Sequence, residues 1–94
     1  MRYVKVTWHH DFTDEPTVFF HEVGDDNWET RRVQLYRDGR AEWADESRDT
    51  PTVGLAEIEI APIQEIASQP EFDAEEISKR EFETKWSAAR NQPQ

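Results

Sequence analysis

The chain has 94 residues, a formal charge of −10 and no cysteine, which leaves room for one small domain without a disulfide framework, a thiolate metal site or a cysteine nucleophile. Twenty-one acidic residues against eleven basic ones argue against direct binding of nucleic acid or of an anionic membrane, since both need clustered Lys and Arg. Hydrophobic residues at 35% and charged ones at 34% lie near the composition of disordered chains, yet four Trp and a patterned apolar order point to a folded domain with a few aromatic anchors.

Tyr3 to His9 alternates Val4, Val6 and Trp8 against Tyr3, Lys5, Thr7 and His9, the period-two signature of a half-buried strand. His10 to Pro16 reads as a loop, Thr17 to Val23 as a second strand, Gly24 to Asn27 as a turn, and Trp28 to Arg37 as a third strand. Asp38-Gly39 predicts a hairpin. A two-residue type I′ turn there would pair Arg37 with Arg40, Leu35 with Glu42 and Gln34 with Trp43. The Arg–Arg pair would be unfavourable, and a longer loop would relieve it. Residues 45–54 form a polar loop, and Leu55 to Ile60 is expected as a short edge strand.

Pro62 suits the first turn of a helix that ends near Ser68, ahead of Pro70. Two capping-box patterns follow, Asp73-x-x-Glu76 and Ser78-x-x-Glu81, each with a hydrophobic staple, Phe72 with Ile77 and Ile77 with Phe82. They predict a helical turn at 74–77 and a helix from Lys79 to about Arg90, with Phe82, Trp86 and Ala89 as its apolar stripe. The expected architecture is α+β: an antiparallel sheet of four to five strands followed by two to three short helices packed on one face. Residues 1–90 make the single domain, and 91–94 a flexible tail.

The charge is unevenly spread. Residues 41–78 hold eleven acids, with Arg48 as their one base, so the whole net charge lies there and the other 56 residues balance to zero. A solvated face that maintains solubility and a surface that steers a basic partner both fit this pattern. With helices on one face, Val4, Val6, Trp8, Val33 and Leu35 would fill the covered side. Trp28, Tyr36 and Trp43, together with Tyr3, would then lie open among Arg and Gln, a composition favoured at interface centres. The swapped arrangement, with those aromatics in the core, is the alternative. The expected partner-binding set is Trp28, Tyr36, Trp43, Glu42, Asp45, Glu46, Asp49, Glu57 and Glu59.

His9, His10 and His21 with Asp11 are the one constellation that resembles a metal site. Adjacent His9 and His10 point to opposite faces of a strand, and no His-x-His or His-x-x-x-His spacing supports them. Paired carboxylates recur too often to mark a catalytic couple. Three scattered glycines exclude a Gly-rich phosphate loop, and no Gly-x-Ser-x-Gly elbow occurs. No enzyme and no cofactor is expected. No apolar run approaches the roughly 20 residues of a spanning helix, and no basic-then-apolar leader opens the chain, so a soluble cytoplasmic protein is expected.

The opening Met-Arg-Tyr-Val-Lys-Val-Thr-Trp-His-His, Asp14-Glu15-Pro16, Asp38-Gly39, Pro70-Glu71-Phe72, Glu76-Ile77 and Glu81-Phe82 through Trp86 resemble a family of small uncharacterised bacterial domains. The resemblance covers nearly the whole chain and implies a standalone bacterial α+β domain, with no activity to carry over. In size and charge the chain is also similar to immunity proteins of interbacterial toxin systems and to phage inhibitors of host defence such as anti-CRISPR proteins. The expected function is a stoichiometric inhibitor occupying a basic surface of a partner, for instance a nucleic-acid-handling protein. A small-molecule or metal-binding module using His9, His10 and His21 is the alternative, and pairing of two copies through an open sheet face is a third reading.

Overall fold

The computed structural model describes residues 1–57 and 59–92. The chain runs β1 (Arg2–Trp8), β2 (Val18–Val23), β3 (Glu29–Leu35), β4 (Ala41–Asp45), α1 (Ile63–Ala67), β5 (Phe72–Ile77) and α2 (Lys79–Arg90). The strands form one antiparallel sheet in the order β4-β3-β2-β1-β5. The α+β class therefore holds with five strands and two helices, although β5 falls between the helices rather than before them.

That interleaving overturns the helical turn expected at 74–77. An isolated turn gains one backbone hydrogen bond for several fixed dihedrals and is marginal. Pairing along the otherwise open edge of β1, from Tyr3↔Ile77 to Trp8↔Phe72, satisfies a whole row of backbone groups instead. The second capping signal acts as expected. The Ser78 hydroxyl accepts from the Glu81 backbone N–H at 3.0 Å, and α2 spans Lys79 to Arg90. Leu55 to Ile60 is irregular at each of its described residues, while Ile58 lies outside them, as do Pro93 and Gln94 of the expected tail. Gln92 is tied back to the β3–β4 hairpin, its Oε1 accepting from the Ala41 N–H at 2.7 Å and its Nε2 donating to the Gly39 carbonyl at 3.1 Å.

The hairpin forms one residue out of the type I′ register. Leu35 opposes Ala41 and Val33 opposes Trp43. Gly39 has φ 92°, whereas Asp38 is not among the residues with positive φ. The loop is therefore the longer kind, a turn closed by Gly39 N–H to Tyr36 C=O at 3.0 Å and followed by a left-handed glycine. This separates Arg37 from Arg40. No atom lies within 4 Å of where a Gly39 Cβ would stand, so only the backbone demands glycine. Gly39→Ala is expected to lower the unfolding free energy by about 1–2 kcal/mol, and Gly39→Asn by less, in urea melts. Equal stability of all three would contradict the assigned turn.

A one-residue slip moves every side chain of a strand to the other face. Trp43 thereby joins Phe20, Val33 and Tyr3 on the side covered by α2, where its ring meets Trp86 edge-on at 5.2 Å. The core there comprises Tyr3, Phe20, Val33, Ala41, Phe82, Trp86 and Ala89, with Val18, Leu35 and Ile77 packed against it. Arg31 ties sheet to helix. It pairs with Glu22 through two hydrogen bonds, 2.8 and 2.5 Å, and with Glu83 of α2, while its guanidinium lies over Phe82 and Trp86 at 4.8 and 4.9 Å. The guanidinium holds the Glu22 carboxyl below the ordinary carboxylate range against the effect of burial.

Val4 and Val6 lie on the opposite face from Val33 and Leu35, because Val4 pairs with His21 and His21 with Arg32. This second face is not left open. The described residues between Arg48 and Ile60, irregular in backbone, cover part of it, with Val53 buried, so two faces are occupied by one long helix and one loop.

Candidate partner-binding groove

The loop over the second face is held by side chains that the sheet buries. Glu29, at the start of β3, is wholly enclosed (0% side-chain exposure). It pairs with His21 Nδ1 and with Arg32, whose guanidinium approaches Glu29 Oε1 to 3.0 Å. Glu29 Oε1 also accepts the Ala56 backbone N–H at 2.8 Å. Burial pushes the Glu29 carboxyl up, but His21 and Arg32 outweigh it and hold it below the ordinary range. Farther along β3, Gln34 donates to the Thr52 carbonyl at 3.2 Å. Glu42 accepts from the Tyr36 hydroxyl and from Thr52 Oγ1 at 2.6 Å. Arg2 donates to the Ile60 carbonyl, and the Ile60 N–H to the Asn27 carbonyl. These bonds tie the described part of the loop to the sheet at several points, two of them through the buried Glu29 and Gln34.

Where this loop leaves the sheet, a groove of about 490 Å³ opens between Trp28, Glu29, Asp45, Glu46, Asp49, Leu55, Ala56 and Glu57. Trp28 is 43% exposed and its backbone is fixed from both sides. Its N–H donates to Asp26 Oδ1 at 3.1 Å, and its carbonyl accepts from Gly24 at 2.9 Å. Asn27 supplies the left-handed residue of this turn, φ 68°, a conformation Asn tolerates better than most residues. On the opposite wall, the Ser47 backbone N–H on Asp45 holds that carboxyl below its ordinary range against burial. Arg48, the one base in the acidic stretch, is turned away, with its guanidinium 4.0 Å above the Trp43 ring. The groove thus combines the Trp28 indole, the apolar side chains of Leu55 and Ala56, and several carboxylates. That is the chemistry that receives a guanidinium or ammonium group.

Five of the nine expected partner-binding residues line this groove: Trp28, Asp45, Glu46, Asp49 and Glu57. The other four do not. Trp43 belongs to the α2 side, and Tyr36 is buried. Glu42 is taken up by Tyr36 and Thr52, and burial together with the Glu42 carboxylate pushes the Tyr36 phenol up to about 12. Glu59 lies at a separate depression with Arg2, Asn27 and Glu65. The expected joint face of Trp28, Tyr36 and Trp43 is therefore corrected. The register slip sends Trp43 to one side of the sheet while Gln34 and Arg32 remain on the other.

The three histidines are likewise apart in function. His9 pairs with Asp73 at 2.7 Å, His10 bonds the Pro16 carbonyl at 2.8 Å, and His21 pairs with Glu29. Among the described residues no group of three or more His, Cys, Asp or Glu side chains is placed to hold a metal ion. Sequence reasoning missed Glu29 and Arg32 as the pins of the loop. Their i,i+3 spacing with His21 on the preceding strand was the available signal. It also passed over Phe12, a lone large apolar residue in a polar loop and 62% exposed. Among the described residues no helix is long and apolar enough to cross a membrane.

No curated protein and no solved structure matches the chain. A family model matches residues 2–91, nearly the whole sequence, in accord with the small-domain resemblance read from its motifs. The chain belongs to the family described as Domain of unknown function (DUF6881).

Proposed function

We propose that the protein is a small acidic binding protein without catalytic activity, acting in the bacterial cytoplasm as a stoichiometric inhibitor of a basic partner, in the manner of an immunity or anti-defence protein. The observation that supports this reading is the groove that sets the exposed Trp28 ring against Asp45, Glu46, Asp49 and Glu57. An arginine from the partner would stack on the indole and donate to the carboxylates, a pairing enriched at interface hot spots. The surrounding acids, most of them outside any ion pair among the described residues, would steer the encounter. By contrast, Glu22, Glu29 and Glu42 are committed to hydrogen bonds with Arg31, with His21 and Arg32, and with Tyr36, which suits structural rather than acid–base duties.

The test is capture from lysate of the source cell by immobilised wild-type protein and by two variants, Trp28→Ala and Glu46→Gln/Asp49→Asn. One basic protein is expected in stoichiometric amount on the wild type at low salt. Release is expected as ionic strength rises toward about 1 M, where the screening length shrinks to ~3 Å. Trp28→Ala is expected to weaken binding by about 2 kcal/mol, roughly thirtyfold. Capture that both variants retain, or that resists salt, would refute the groove as the contact.

A further inference from the structure

The loop joining β1 to β2 spends its one large apolar side chain on the surface. Phe12 is 62% exposed, yet it is held in place. Its backbone N–H donates to His10 Nδ1 at 2.9 Å, and its ring stacks on the His10 ring at 5.4 Å. His10 in turn donates from Nε2 to the Pro16 carbonyl at 2.8 Å and lies 4.1 Å from the Trp8 ring. One ring nitrogen accepting and the other donating lets the imidazole clasp the loop around itself. Arg37 adds a hydrogen bond to the His10 carbonyl. Phe12 and Trp8, 6.1 Å apart, together with Asp11, Thr13, Asp14 and Glu15 border a groove of about 610 Å³.

We propose that this groove is a second docking surface, and that its occupant is a peptide segment of a partner protein carrying an apolar side chain beside a lysine or arginine. The rings offer an apolar seat whose conformational cost is already met by the His10 clasp. The three carboxylates at its border, none of them in an ion pair among the described residues, select a basic neighbour. The same carboxylates disfavour a second copy of this chain, which would bring like charges together, and a nucleic acid. The site is separate from the Trp28 groove. β1 and β3 run in the same direction, with Trp8 ending the first and Trp28 preceding the second, so roughly 20 Å of strand lies between them.

The experiment is an NMR titration of the full chain, labelled with nitrogen-15, with a short capped peptide of alternating lysine and phenylalanine. A matched peptide of alternating glutamate and phenylalanine serves as control. Saturable shifts are expected at the Phe12 amide and the Trp8 indole with the basic peptide. Phe12→Ala is expected to weaken binding about tenfold, the range of a moderate anchor. His10→Ala removes the clasp while leaving Phe12 and is expected to weaken it several-fold. Both sites are on the surface loop, and unchanged amide dispersion elsewhere verifies that the variants fold. No saturable shift up to about 5 mM, an affinity too weak to matter, would overturn the proposal. So would equal binding of the acidic peptide, or full binding by Phe12→Ala. Shifts confined to Trp28 would overturn it while leaving the first groove standing.

Discussion

Phe82→Ala is expected to lower the unfolding free energy by about 3–5 kcal/mol, the range for truncating a fully enclosed aromatic. Phe82 has no exposed surface and stands at the centre of the α2 side. Tyr3 lies 5.3 Å from it, Trp86 6.2 Å, and the Arg31 guanidinium 4.8 Å. Its removal opens a cavity and also strips the ring from beneath the cation that joins Glu22 to Glu83. A domain of this length has roughly 5–15 kcal/mol in total, so the variant is expected to sit near its limit at 25 °C. Trp43→Ala is expected to cost about 2 kcal/mol because its ring is only half buried against Trp86. Trp28→Ala is expected to stay within about 0.5 kcal/mol, as surface substitutions do. Urea melts of the three variants check this ranking. If Trp28→Ala costs as much as Trp43→Ala, Trp28 supports the fold and the groove loses its claim as a free contact surface.

The ranking also shows where sequence reasoning reached and where it stopped. The β1 strand, the Ser78 cap and the Phe82–Trp86–Ala89 stripe are local signals, each written within one element, and all three form, although β1 is covered on both faces, with Tyr3 in the α2-side core, rather than half-buried. The hairpin was legible but its register was not. Asp38 tolerates both signs of φ, so Asp-Gly is compatible with either turn, and the choice between them decides which face Trp43 occupies. β5 was hidden because Asp73-x-x-Glu76 carries a real capping pattern, and only the empty edge of β1, a non-local fact, outweighs it. Five groove residues were anticipated from charge and aromaticity alone. Their convergence depends on how the loop between Arg48 and Ile60 folds back, which is dictated by buried partners more than twenty residues away, such as Glu29 for Ala56.

That dependence makes Arg32 the most informative residue on the second face. Arg32→Met is expected to cost about 3–5 kcal/mol, because it leaves the enclosed Glu29 carboxylate with one fewer charged partner. The pH dependence distinguishes this cause from lost packing. In the wild type Glu29 titrates below its ordinary value, so it binds fewer protons folded than unfolded. Its stabilisation is then complete above the unfolded carboxylate range near 4.5 and disappears as pH falls through the lowered folded value. Without Arg32, burial opposes ionisation more effectively and the carboxyl moves upward, so this acid-side loss shrinks or changes sign. Glu22 contributes a similar acid-side loss in both proteins, and the difference between the two stability-versus-pH curves isolates Glu29. The double variant Glu29→Gln/Arg32→Met removes both charges and is expected to recover a large part of the deficit. The Ala56 N–H then loses its carboxylate acceptor but can still donate to the glutamine carbonyl. Parallel pH curves for wild type and Arg32→Met, or no recovery in the double variant, would mean that the ion pair does not hold this face. The loop that shapes the Trp28 groove would then depend on Gln34, Glu42 and the backbone bonds of Ile60 instead.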